Sequence, residues 1–210
     1  MEAAADGGVR ALVAEGERWW TQSPDPRNPV ACVTCHHDPA DTRGWAASFP
    51  KLRPMPPPHS RVMTLLQANA EAVTRHYRLP DPRPTATAIT AYLTSQGAGV
   101  PISPGVIAGQ PVFPERTREL AASVVRGRRL YVQRCGQCHT EAVVALSVMA
   151  FPRVVGRRAE SIEGFLERHQ RLAWDGQAIA DVIAYLVSQM AGQPVGLETY
   201  QAAKKAKERS

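Results

Sequence analysis

Four cysteines stand in this 210-residue sequence, in two pairs of one form, Cys32-Val33-Thr34-Cys35-His36 and Cys135-Gly136-Gln137-Cys138-His139. Each is a C-x-x-C-H. Two thiols at this spacing can add across the vinyl groups of haem, and the imidazole that follows, carried by the same turn, is placed to ligate the iron. The motif calls for covalently attached haem c, and its repetition calls for two. Other chemistries of paired thiols fit less well. A zinc ribbon sets its C-x-x-C pairs roughly 15–20 residues apart and has no use for a histidine after each; here Cys32 and Cys135 are 103 residues apart. A thioredoxin-like dithiol occurs once, in a βαβ setting, and no strand-like alternation flanks either motif. A disulfide within either pair would close a strained two-residue loop.

The chain repeats itself around these motifs. The offset between copies is 103 at the cysteines and 93 further on, where Ala91-Tyr92-Leu93-Thr94-Ser95-Gln96 matches Ala184-Tyr185-Leu186-Val187-Ser188-Gln189. Upstream, Gly16-x-x-x-Trp20 corresponds to Gly127-x-x-x-Tyr131. Cysteine follows that glycine by 16 residues in the first copy and by 8 in the second, so the first copy carries an eight-residue insertion around Ser23-Pro24-Asp25-Pro26. Ser48-Phe49-Pro50 matches Ala150-Phe151-Pro152.

Each copy reads as three helices around a loop. Val9, Leu12, Val13, Gly16 and Trp20 recur at helical spacing, as do Leu120, Val124, Gly127 and Tyr131. Middle helices carry Met63, Leu66, Ala70, Val73 and Tyr77, then Ile162, Phe165, Leu166, His169 and Leu172. Closing helices carry Ala86, Ile89 and Leu93, then Ile179, Val182, Ile183 and Leu186. Glycine inside a helix costs about 1 kcal/mol against alanine, so its presence at both matched positions predicts close helix contact, with Tyr92 and Tyr185 marking the partner.

Composition sets bounds on the whole. A content of 44% hydrophobic and 21% charged residues is that of a globular chain, but aromatics are only 6%, with 18 Pro and 15 Gly. Two cores of such small size need help, and a large apolar cofactor supplies it. No apolar run reaches the roughly 18 residues of a membrane helix. The charge of +6 is spread along the chain, apart from Lys204-Lys205-Ala206-Lys207-Glu208-Arg209, a solvated tail. Nothing in this pattern asks for nucleic acid. Met1-Glu2-Ala3-Ala4-Ala5-Asp6 is not a secretory signal.

Gly127-Arg128-Arg129-Leu130-Tyr131-Val132-Gln133-Arg134-Cys135-Gly136-Gln137-Cys138-His139 resembles the N-terminal helix and haem site of class I cytochromes c, and Asp181-Val182-Ile183-Ala184-Tyr185-Leu186 resembles their C-terminal helix. The likeness implies an all-α fold with two tandem cytochrome c-like domains, 8–97 and 119–192, each of three or more helices around a covalent haem. A Pro/Gly-rich strap, 98–118, joins them, and a basic tail, 193–210, follows. Cys32, Cys35, Cys135 and Cys138 are then the attachment residues and His36 and His139 the proximal ligands.

The remaining axial position decides between electron transfer and chemistry at the iron. His76 and His169 are 93 residues apart, within Arg75-His76-Tyr77-Arg78-Leu79 and Arg168-His169-Gln170-Arg171-Leu172, and no methionine pair aligns this way. Both precede the closing helix, the part of a class I fold that supplies the distal ligand, and they are the favoured distal pair. Met55 and Met149 are the rivals. Lys51-Leu52-Arg53-Pro54-Met55-Pro56-Pro57 resembles a stretch in high-spin monohaem cytochromes whose distal ligand is the Asn of an Arg-Asn pair; Arg75-His76 stands at that position here. Met149 is only 10 residues after His139 and Met190 lies beyond the closing helix. His37 and His59 have no counterparts and read as surface or propionate-side residues. Lys51, Arg53, Arg153, Arg157 and Arg158 are candidate partners for propionates or acidic proteins.

Two irons with both axial positions filled describe a carrier of single electrons rather than an enzyme. The resemblance implies an exported, periplasmic protein numbered without its signal, serving a respiratory, photosynthetic or sulfur-oxidising chain. Its partners are an electron donor and acceptor, or a larger complex that includes it. The alternative is a haem enzyme or enzyme subunit of the thiosulfate-oxidising or dihaem peroxidase type. Pro50 after an aromatic is similar to the thiosulfate-oxidising group, but that group ligates its active haem by Cys, and this chain has no fifth cysteine.

Overall fold

A computed structural model describes residues 2–53, 60–106, 114–139, 153–155, 158–170 and 174–195. The fold is mostly helical. The first half runs α1 (Glu2–Thr21), the single turn α2 (Cys32–Cys35), α3 (Pro39–Arg43), α4 (Trp45–Ser48), a hairpin of β1 (Lys51–Arg53) and β2 (Arg61–Met63), α5 (Leu65–Tyr77) and α6 (Arg83–Gln96). The second runs α7 (Pro114–Arg134), a hairpin of β3 (Arg153–Val155) and β4 (Arg158–Glu160), α8 (Ile162–Gln170) and α9 (Gly176–Ser188).

The matched glycines do what their spacing predicts. A methyl added at Gly16 would overlap the Ala88 carbonyl of α6 and come within 2.8 Å of Tyr92 Cβ; one at Gly127 would overlap the Asp181 carbonyl of α9 and stand 3.0 Å from Tyr185 Cβ. Each N-terminal helix thus lies backbone to backbone on its closing helix. One turn on, an aromatic pair fills the crossing, Trp20 with Tyr92 at 6.1 Å between ring centres and Tyr131 with Tyr185 at 5.4 Å. The crossings differ in one respect. Asp181 is buried and accepts from Ser123 Oγ at 2.6 Å, Arg126 at 2.7 and 2.9 Å and Gln177 at 2.9 Å, whereas Ala88 stands at its place in the first half.

Two features depart from the purely helical expectation. Both halves contain an antiparallel hairpin, with Lys51 opposite Met63 and Arg153 opposite Glu160. Strands of three residues are too short to register as periodicity. Met63, placed by its spacing on the middle helix, is a fully buried residue of β2. The helix starts after it because Thr64 accepts from Gln67 N–H while the Gln67 side chain accepts from Thr64 N–H, a capping box.

The connector is also more structured than a free strap. Its residues 98–106 bond to both halves: Ser103 and Gly105 donate to the carbonyls of Ala47 and Ser48, and Gly99 and Ile102 donate to those of Val195 and Gln193. Ile102 and Val195 are buried, so 193–195, read as the start of a tail, is part of the fold. Residues 114–118, read as strap, form the start of α7. Each hairpin packs against the other half's N-terminal helix, β1 and β2 on α7 and β3 and β4 on α1. A single apolar cluster joins Trp20, Leu66, Val73 and Ile89 with Tyr131, Leu166, Val182 and Ile183.

Candidate functional site

In the first motif, α2 is one helical turn whose His36 N–H donates to the Cys32 carbonyl at 3.0 Å. That bond closes the turn. Cys32, Cys35 and His36 line a cleft with about 630 Å³ of free space, its mouth included, and His76 lines it too. Its other walls are mostly apolar, with Trp20 from α1, Trp45 from α4, Val73 from α5 and Ile89 from α6, and Asn69 of α5 among them. His36 stacks on Trp20 at 5.9 Å and meets the edge of Trp45 at 5.0 Å. Burial chiefly holds its imidazole below the ordinary histidine range; Asp41 opposes this and the charge of His76 reinforces it.

Tyr77 braces this arrangement. Its hydroxyl donates to the Trp19 carbonyl at 2.6 Å, accepts from Cys32 N–H at 3.3 Å and lies 3.2 Å from Cys32 Sγ. One phenol thus ties the end of α1 and the end of α5 to the first cysteine. Burial raises the Cys32 thiol, partly offset by that hydrogen bond, and burial also raises the Tyr77 phenol. Spacing alone gives no hint of this role, since Tyr77 sits on the apolar stripe of its helix like any core residue.

The second motif forms the same turn at the end of α7. Cys138 and His139 N–H groups donate to the Cys135 carbonyl at 3.1 and 2.9 Å, and Tyr131 Oη donates to the His139 carbonyl at 2.8 Å. Cys135 is buried and its thiol raised by that burial, while Cys138 and His139 face outward. His169 lies in α8, and its side chain is outside the described residues. Counted back from the matched Tyr92 and Tyr185, its position is that of His76; counted forward from the matched helix starts at Thr64 and Ser161, it is that of Ala72. Those two positions are one turn apart on α5, and both line the first cleft.

Met55, Met149, His59 and Arg157 fall outside the described residues, as do the side chains of Arg153 and Arg158. Met190 packs in the shared core and His37 is exposed. Lys51 is buried, its ammonium 3.1 Å from Ser48 Oγ and 4.4 Å from the centre of the Phe49 ring. It is not among the residues lining the cleft.

None of the four cysteines is in a disulfide. Among the described residues no three His, Cys, Asp or Glu side chains are grouped to hold a bare metal ion, so the four cysteines do not share one site. A chelated ion such as zinc asks the chain for three or four ligands, whereas haem brings four nitrogens of its own and asks for one or two. A mostly apolar cleft with two thiols, a neighbouring imidazole and a second imidazole from another helix fits that group.

No protein-family model matches the chain, and no curated protein matches it. Among solved structures, SoxXA from P. pantotrophus superposes on 90% of this chain and 77% of its own, with a TM-score of 0.67 at 15% identity. The chain has a c-type cytochrome fold. Among the described residues no helix is long and apolar enough to cross a membrane.

Proposed function

We propose that this chain is a dihaem c-type cytochrome that carries single electrons between redox partners outside the cytoplasm. Cys32 and Cys35 would attach one haem and Cys135 and Cys138 the other, with His36 and His139 as proximal and His76 and His169 as distal ligands. Residues 8–97 and 119–192 would each enclose one haem. The observation that carries this is the first cleft, where Cys32, Cys35, His36 and His76 come together between mostly apolar walls. The c-type fold and the likeness to SoxXA support it.

Bound haem would supply a one-electron couple. The chain's own part is to fix both imidazoles, exclude water and limit rearrangement. Trp20 and Trp45 hold the plane of His36, and Tyr77 keeps the distal helix end at the attachment turn. Two imidazoles set a lower potential than an imidazole and a thioether, so the ligand set itself tunes the carrier. Export follows from the attachment chemistry, which takes place outside the cytoplasm. Arg128, Arg129 and Arg134 are exposed on α7 and take no carboxylate partner among the described residues, a surface suited to an acidic redox protein.

Low-temperature electron paramagnetic resonance of the oxidised protein, with its near-infrared absorption, tests this. Two low-spin signals without a thioether charge-transfer band are expected. A high-spin signal would overturn the carrier reading and favour a haem enzyme with one reactive iron.

A further inference from the structure

We propose that Asn28 is a positioning residue for His76, a clasp across the first cleft that firms its distal side. This rests on His76 as the distal ligand. Asn28 belongs to the eight-residue insertion that only the first copy carries. Its Nδ2 donates to the His76 carbonyl at 3.0 Å, across 48 residues of sequence, and its Oδ1 accepts from Val30 N–H at 3.3 Å. Val30 and Ala31 form the rim beside Cys32, and His76 lines the same cleft. One carboxamide therefore joins the thiol-bearing rim to the end of the distal helix.

Both ends of the clasp are held. The insertion is braced within itself: Arg27 donates to the Asp25 carboxylate through N–H at 2.9 Å and Nε at 3.2 Å, and Asn28 N–H donates to the Asp25 carbonyl at 2.9 Å. At the other end, the last carbonyls of a helix have no partner within it. α5 stops because Arg78 adopts a left-handed conformation, φ 53°, and turns its N–H back to the Val73 carbonyl. The carbonyl of His76 is among those left over, and Asn28 takes it. In the second half, α7 runs straight into Cys135, so no residue corresponds to Asn28.

When His76 leaves its position by an outward swing of the end of α5, the clasp must break. Loss of one such hydrogen bond raises the ligand-off population about five-fold. The test uses the full-length protein with both haems, reduced, under excess carbon monoxide, which enters only when a distal ligand is off. His76→Ala identifies the haem concerned by opening it. Asn28→Ala should speed carbon monoxide binding to that haem about five-fold, leave the other haem's rate unchanged, and hasten amide hydrogen exchange over residues 73–79. Asn28→Asp keeps an acceptor for Val30 but has no donor for His76, so it should match or exceed Asn28→Ala. Wild-type rates in either Asn28 variant, with His76→Ala open, would overturn the clasp and leave the ligand assignment standing. If His76→Ala leaves both haems closed, the assignment fails and the clasp with it.

Discussion

Alanine in place of Gly127 sets two effects of similar size against each other. In an unpacked helix the change favours folding by about 1 kcal/mol, because glycine has more backbone freedom to lose. In α7 the added methyl would overlap the Asp181 carbonyl and stand 3.0 Å from Tyr185 Cβ, where carbon contacts settle at about 3.5–4.0 Å. The helices must part by about 1 Å, and such a gap forfeits roughly a quarter to a half of each dispersion contact. With on the order of 40 atom pairs across the crossing at about 0.1–0.2 kcal/mol each, the loss is about 1–4 kcal/mol. The bonds from Ser123 and Arg126 to Asp181 span the same crossing and would lengthen with it, which offsets the gain in helix propensity. A net destabilisation of about 1–4 kcal/mol is expected, several degrees in Tm for a chain of this size. Gly164 is the control. Nothing lies closer to a methyl there than Ser161 Oγ at 3.4 Å, so Gly164→Ala should stabilise by up to about 1 kcal/mol. Thermal and guanidinium unfolding followed by far-ultraviolet circular dichroism reads both. Gly127→Ala at or above wild-type stability would refute the backbone-to-backbone crossing.

His76→Met should raise the reduction potential of one haem and leave the other where it was; a spectroelectrochemical titration that moves neither would refute the ligand assignment. Replacing Cys135 and Cys138 together by alanine should leave one covalent haem by intact mass. Because Tyr131 and Cys135 belong to the core shared with Trp20 and Ile89, the unfolding midpoint of the remaining half should fall as well. Glu163, buried at the start of α8, is raised above the ordinary glutamate value of 4.5 chiefly by burial, against a hydrogen bond from Thr64 and the charge of Arg83, and with repulsion from Glu167. A raised carboxylate stabilises the fold fully below that ordinary value and loses the contribution as pH rises through its folded value. Glu163→Gln should therefore melt higher than wild type at pH 7–8, by on the order of 1–3 kcal/mol, with the difference closing below about pH 4. A constant difference across the pH range would show that ionisation of Glu163 is not its source.

The candidate site was partly legible. Cys32, Cys35 and His36 are neighbours in sequence, so one helical turn suffices to present them together. His76 was reached through the internal repeat, which aligns it with His169. Trp20 was visible only as a helix-face residue and Trp45 not at all, because a ring becomes a wall only when a second helix comes against it. Tyr77 and Asn28 were missed for the same reason: the Tyr77 bonds reach Trp19 and Cys32, and the Asn28 bond reaches His76, all far along the chain. The strands escaped because three residues carry no period.

What the sequence determined by itself were the features that depend on short spacing: thiols and imidazole on one turn, apolar stripes of helical period, and glycines four residues ahead of an aromatic that bring two helices together. Tertiary structure decided what depends on chain segments meeting from a distance. It laid each hairpin on the opposite half's N-terminal helix, bonded the connector to residues 192–195, joined apolar faces of both halves in a shared cluster, and set the insertion against the end of α5. Local propensity acts over a few residues, whereas the partner of a buried face or an unpaired carbonyl is chosen by the whole packing.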